Sequence, residues 1–149
     1  MVDESAFAKH IGSYSLQFFK PYEFLVMGSR HADPNSPAFG LNNKPPESLW
    51  ENMRATAKIM DHFRLLIGSP VRIVNAYRSP RYNRSIGGAK ASQHLKFNAL
   101  DFVVDGNSRP TDWADLLGSM RDDQNLFKGG IGRYATFVHI DTRGSNANW

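Results

Sequence analysis

Apolar positions along the chain fall into a few distinct rhythms. From Glu47 to Ile67, the residues Leu49, Trp50, Met53, Ala57, Met60, Phe63 and Ile67 recur at three- and four-residue steps. That spacing predicts one amphipathic helix, and Gly68 and Pro70 stop it. Val71–Ala76 reads as a strand, as does Ala99–Val104, which is apolar except for Asp101. A further helix is expected from Ser108 to Met120. Ser108 or Thr111 would cap it, Pro110 lies in its first turn, and Trp113, Leu116, Leu117 and Met120 form its inner face. Thr136 to Thr142 is the last predicted strand. Arg78-Ser79-Pro80 is a turn, Tyr82 to Ile86 a short helix broken by Gly87-Gly88, and Gly129-Gly130-Ile131-Gly132 a turn into a strand or hairpin.

The first third of the chain has no such rhythm. Residues 1–28 mix Phe18, Phe19, Tyr22 and Phe24 with polar groups. Ser29 to Pro46 reads as one long loop, with Pro34, Pro37, Gly40, Pro45 and Pro46 interleaved with Asn35, Asn42 and Asn43. A loop of that length is either a wall of a substrate cleft or a variable insertion. The order of elements gives α+β or α/β and no finer class.

A chain of 149 residues fits one domain, which buries roughly 68–70% of its unfolded surface and needs no staple merely to fold. Cysteine is absent, so disulfides, thiolate metal sites and thiol nucleophiles are excluded together. The net charge of +4 and pI near 9.5 suit an anionic partner such as cell-wall polymer. The cations are spread rather than clustered, so they read as solvated surface and no nucleic-acid partner is expected. No apolar stretch approaches the ~20 residues of a membrane span. The start, Met1-Val2-Asp3-Glu4, has no apolar core behind it, so no signal peptide is expected.

The chemistry concentrates in few residues. Asp101 is a charge in an apolar strand, expensive unless paired or metal-bound. His139 repeats the anomaly between Val138 and Ile140, and Asp141, two positions on, shares its strand face. His94 ends the glycine-rich connection before Asp101. A loop His, a strand Asp and a strand His can converge on one ion, and that donor set favours zinc over magnesium or calcium. His62, alone on the long helix, reads as a surface or core residue.

Several motifs in order carry a resemblance. Asn75-Ala76-Tyr77-Arg78-Ser79-Pro80, Tyr82-Asn83, Gly87-Gly88, Ser92-Gln93-His94, Ala99-Leu100-Asp101 and Phe137-Val138-His139-Ile140-Asp141-Thr142-Arg143-Gly144 resemble the zinc D-alanyl-D-alanine carboxypeptidases and related murein endopeptidases. The likeness covers about residues 47–149. It is closest to the branch whose peptidase unit is usually a C-terminal domain. It implies the hedgehog/DD-peptidase fold, a small α+β domain with an antiparallel sheet carrying Zn2+, as one domain over residues 1–149 with 1–46 an extension. It implies His94, Asp101 and His139 as ligands, Arg78 at the substrate or its developing oxyanion, and Ser92 placing substrate or ligand. A monomeric hydrolase acting on peptidoglycan is the expectation, outside the cytoplasm, in a bacterium or phage. The alternative on the same fold is a non-catalytic zinc-stabilised cell-wall-binding module.

Three positions depart from the family pattern. Phe97 stands where a glycine is usual, and Ala76 where many members have glycine. Thr136 stands where many members place the carboxylate general base. Asp141 is the nearest replacement in sequence, either as that base or as the partner that orients a ligand histidine.

Overall fold

The computed structural model describes all 149 residues. Five strands form one sheet in the order β1-β2-β4-β3-β5: β1 Val71–Asn75, β2 Ala99–Val104, β3 Gly130–Arg133, β4 Val138–Asp141 and β5 Ala147–Asn148. In that order β1, β2, β4 and β3 each run antiparallel to the next, and β5 joins β3 in parallel, which makes the sheet mixed. The α+β class therefore stands, with one parallel edge added to the expected antiparallel sheet.

The alternation of β2 and β4 divides the sheet into two faces. Leu100 pairs with Ile140 and Phe102 with Val138, and all four are fully buried. They face helices α3 (Met53–Ile67) and α5 (Pro110–Gly118): the Phe102 ring lies 5.1 Å from Phe63 of α3 and 6.3 Å from Trp113 of α5. Burying an aromatic ring of this size contributes about 1.5–3 kcal/mol, so this face anchors the sheet. The intervening residues, Asp101, His139 and Asp141, point the other way. Asn75, Asp101, His139 and Gly132 are cross-strand neighbours, so they form one row running over β1, β2, β4 and β3.

Element boundaries differ locally from the sequence expectation. The helical stripe from Glu47 begins as a 3-10 turn, Glu47–Asn52, before α3 proper. The helix expected to reach Met120 ends at Gly118 and continues as a π turn, Ser119–Asp123. The residues before α3 are part of the core. Helix α1, Glu4–Gly12, is capped by the Asp3 side chain and buries Phe7 and Ile11, which are one turn apart. Phe7 packs edge-on against Trp50 at 5.3 Å, and the Tyr14 hydroxyl donates to the Trp50 carbonyl at 2.7 Å. Asp61 on α3 accepts from the backbone N–H groups of Gln17 and Phe18. One cluster of 26 buried residues runs through both parts of the chain.

Candidate metal centre

Each site residue is set by a different local device. Asp101 and His139 are fixed by strand register. His94 lies in a 3-10 turn, Gln93–Lys96, capped by the Ser92 hydroxyl, which accepts from the His94 backbone N–H at 3.3 Å. Phe97 ends that turn in the left-handed region, at φ +57°. That conformation explains why glycine is usual here. A side chain there costs about 1–2 kcal/mol, and the cost is offset because the Phe97 ring is fully buried, 6.3 Å from Phe7 and 6.4 Å from Tyr77.

Arg78 follows β1. Its backbone N–H donates to the His94 carbonyl at 3.1 Å, joining the two site segments directly. The buried Asn42 clamps the peptide units on both sides of it. Asn42 Nδ2 donates to the Tyr77 carbonyl at 3.0 Å, and Asn42 Oδ1 accepts from the Ser79 N–H at 2.8 Å. The proline- and asparagine-rich loop thus serves as a brace. It contains one short helix, α2, Ser29–Ala32. Helix α4, Pro80–Ser85, supplies Asn83, whose carboxamide donates to the Ala89 carbonyl at 2.9 Å and lies at 3.4 Å from Arg78 Nη1. A Cβ at Gly88 would collide with the Asn83 carboxamide oxygen, which accounts for the glycine there.

The donors converge. One ligand atom each from His94, Asp101 and His139 lies within 4.8 Å of the others, and all three residues are buried. His94 Nδ1 donates to the Ala76 carbonyl at 2.6 Å, which leaves the Nε2 lone pair facing Asp101 Oδ1 at 3.1 Å. His139 Nε2 donates to Asp141 Oδ2 at 2.8 Å, which leaves Nδ1 facing the same Asp101 oxygen at 2.9 Å. Both tautomers are assigned from these partners. Three electron-rich atoms aimed at one point repel unless a proton or cation sits among them. This donor set fits a tetrahedral zinc with three protein ligands.

The electrostatics follow from the same contacts. Burial lowers the His94 imidazole below its ordinary pKa and keeps it neutral. Burial also acts against a charged His139, but the neighbouring Asp101 and Asp141 carboxylates outweigh this and raise it. Burial would push the Asp101 carboxyl up, yet the two histidines hold it well below the usual carboxylate range. Arg78 is lowered by desolvation, despite the facing Asp101.

Asp141 is completely buried and lines neither of the two cavities described next. Its carboxylate accepts from His139 Nε2, from the Gly130 N–H at 3.0 Å, and from Arg143 through the backbone N–H, Nε and Nη2. Thr136 lies in the exposed turn between β3 and β4. His62 is on the outer side of α3, away from this face.

Two cavities meet at the centre. One, of about 630 Å³, is lined by His94, His139 and Arg143, by the Gly87–Ser92 loop, and by Tyr134 and Trp149. The second, of about 420 Å³, includes Arg30, Asn75 and Tyr82. Arg78, Asp101 and Phe137 line both. The Trp149 ring lies 5.0 Å from the His139 ring, and its Nε1 donates to the Tyr134 hydroxyl at 2.7 Å. Sequence reasoning missed Asn42 and Trp149, and took Asn75 only as part of a motif, with no role of its own. An asparagine in a loop and a tryptophan after a two-residue strand leave no periodic signal.

Comparison with known proteins agrees with this geometry. The sequence model of the Peptidase M15 family matches residues 31–141, beginning inside the bracing loop. The chain is 36% identical over 87 residues to the peptidoglycan L,D-endopeptidase MepK of Escherichia coli strain K12, covering 54% of this chain and 43% of that protein. It is 32% identical over 84 residues to the probable peptidoglycan L,D-endopeptidase MepK of Haemophilus influenzae, covering 52% of this chain and 41% of that one. The chain thus spans less than half the length of these curated relatives. No solved structure matches.

Proposed function

Because this chain belongs to the Peptidase M15 family, we propose that it is a zinc-dependent endopeptidase cleaving peptide bonds in peptidoglycan stem peptides or cross-links, and that it works at the cell wall. The observation that carries endo- rather than carboxypeptidase action is the pair of cavities. They share Arg78, Asp101 and Phe137 and otherwise have separate linings, which supports room for an extended peptide beyond one residue of the reacting bond. The Escherichia coli relative's name points to the same polymer.

His94 Nε2, Asp101 Oδ1 and His139 Nδ1 would hold the zinc. A bound zinc lowers the pKa of its water to about 7 and polarises the scissile carbonyl. The chain's own residues do the rest. Arg78, with 17% of its side chain exposed and only long contacts to Asn83 and Asp101, keeps donors free for the oxyanion that develops at the carbonyl. Asp141 orients His139, and Ser92 holds the turn that carries His94. Tyr134, Trp149 and the Gly87–Ser92 loop line the larger cavity and would flank the peptide.

One observation favours a second reading, a zinc-bound wall-binding module of low turnover: Asp101 is the only carboxylate lining either cavity. One experiment separates the two. Purified peptidoglycan is digested with zinc-loaded protein, with and without chelator, and the fragments are identified by mass. We expect internal peptide bonds to be cut, with chelator abolishing cleavage and added zinc restoring it. Elemental analysis should show zinc lost in His94→Ala and His139→Ala. Fully zinc-loaded protein that binds the polymer and releases nothing supports the module, and zinc retained in both variants overturns the ligand assignment.

A further inference from the structure

We infer that the smaller cavity is a subsite for a peptide residue that flanks the scissile bond and carries a free carboxylate, with Arg30 and Tyr82 as its specificity-determining contacts. The inference rests on the peptidase reading and adds substrate selection to it.

The cavity holds polar groups that the fold leaves unused. Tyr82 is a buried residue whose hydroxyl forms no hydrogen bond within the chain, although its ring lines the cavity. The packing does not seal that hydroxyl off, so it is a free donor at the cavity surface. Arg30 stands exposed at the rim and pairs with no carboxylate of the chain. Asn75 donates through Nδ2 to Asp101 at 3.3 Å, while its buried Oδ1 has no partner. Arg78 Nε is likewise buried and unpartnered.

The signs of these groups identify the ligand. Two guanidinium groups and a phenol are donors. Asp101 is the only acid lining the cavity, with one oxygen turned to the metal centre and the other facing Arg78. An anion is therefore attracted and a cation is not. A carboxylate can accept from the Arg30 guanidinium and the Tyr82 hydroxyl together. A stem peptide supplies such a group wherever an acidic residue is linked through its side chain, leaving its own carboxylate free. A cavity of about 420 Å³ falls within the usual range of ligand sites, ~300–1,000 Å³.

The test uses two synthetic stem peptides, identical except that the residue beside the scissile bond carries a free carboxylate in one and a carboxamide in the other. Binding to the zinc-loaded protein is measured by titration calorimetry, and turnover is followed by mass. A hydrogen bond to a charged group, weighed at tenfold per 1.4 kcal/mol, gives an expected preference of about 10- to 100-fold for the carboxylate peptide. Arg30→Gln should erase that preference by weakening only the carboxylate peptide, with zinc content unchanged. Tyr82→Phe should reduce it several-fold. Equal binding of the two peptides by the wild type, or an Arg30→Gln loss shared equally by both, overturns the subsite. Discriminating binding without turnover leaves the subsite standing and removes the peptidase reading instead.

Discussion

Replacing Asp141 by asparagine tests how the centre is held. The substitution keeps the shape and removes the charge. Asp141 Oδ2 accepts from His139 Nε2 at 2.8 Å and Arg143 Nη2 at 2.7 Å, while Oδ1 accepts from the Gly130 N–H, the Arg143 N–H and Arg143 Nε. An asparagine must place its amide nitrogen at one of these positions. The Oδ1 side faces three donors, so the nitrogen goes to the Oδ2 side and there meets two. His139 can relieve its half of that conflict only by shifting its proton to Nδ1, the atom needed as a ligand. Zinc affinity should therefore fall by roughly 10–100-fold, the usual result of removing a partner that orients a ligand histidine. Breaking a buried ion pair costs about 3–5 kcal/mol. The Arg143 side chain is 29% exposed and can be resolvated, so we expect about 2–3 kcal/mol, or a Tm lower by about 4–12 °C in a chain of this size. Competition against a chelator of known zinc affinity gives the first quantity, and thermal melts of the metal-free protein give the second. Excess zinc should restore most of the activity. Unchanged zinc affinity combined with a ~10²–10⁴ loss of turnover would refute the orienting role and make Asp141 the general base.

Two further variants probe the surroundings. Arg78→Ala removes a guanidinium whose Nε is buried without a partner and whose contacts are all 3.4 Å long. Its Tm should move by only a few degrees, while kcat falls by about 10²–10³, as for loss of one oxyanion donor; a Tm loss large enough to explain the inactivity would make Arg78 structural. Gly88→Ala should displace the Asn83 carboxamide and cost about 1–3 kcal/mol, and Asn83→Ser in the same chain should recover much of it. A melt of Gly88→Ala that matches wild type contradicts the packing account.

What could be read from sequence was whatever repeats or stands out against a repeat. Helix α3 and strands β1, β2 and β4 announce themselves by apolar spacing, and Asp101 and His139 by interrupting it. Asp141 shares a face with His139 by strand parity alone. Other features had no periodic trace. Strand β5 is two residues long, too short for any alternation. Helix α1 shows only Asp3 as a cap and Phe7 and Ile11 at a four-residue step, a signal diluted by the polar residues between them. The role of Asn42 depends on where a distant loop docks, because two of its side-chain hydrogen bonds reach backbone 35 and 37 residues away. Phe97 looked like a lost glycine. In the fold it retains the glycine's backbone conformation and adds a ring to the core.

The row of Asn75, Asp101, His139 and Gly132 makes the reactive centre a readout of folding. Its members come from segments 26 and 38 residues apart along the chain, so no local hairpin can assemble it, and closing those loops costs entropy before any contact compensates. A slip of one residue in β2 or β4 would turn Asp101 or His139 toward the helices and disperse the donors. An ion that needs all three donors consequently binds the native arrangement and ignores misregistered ones. At a free concentration 1,000 times its Kd it would favour the native state by about 4.1 kcal/mol. Metal supply would then favour the correctly registered chains over the others.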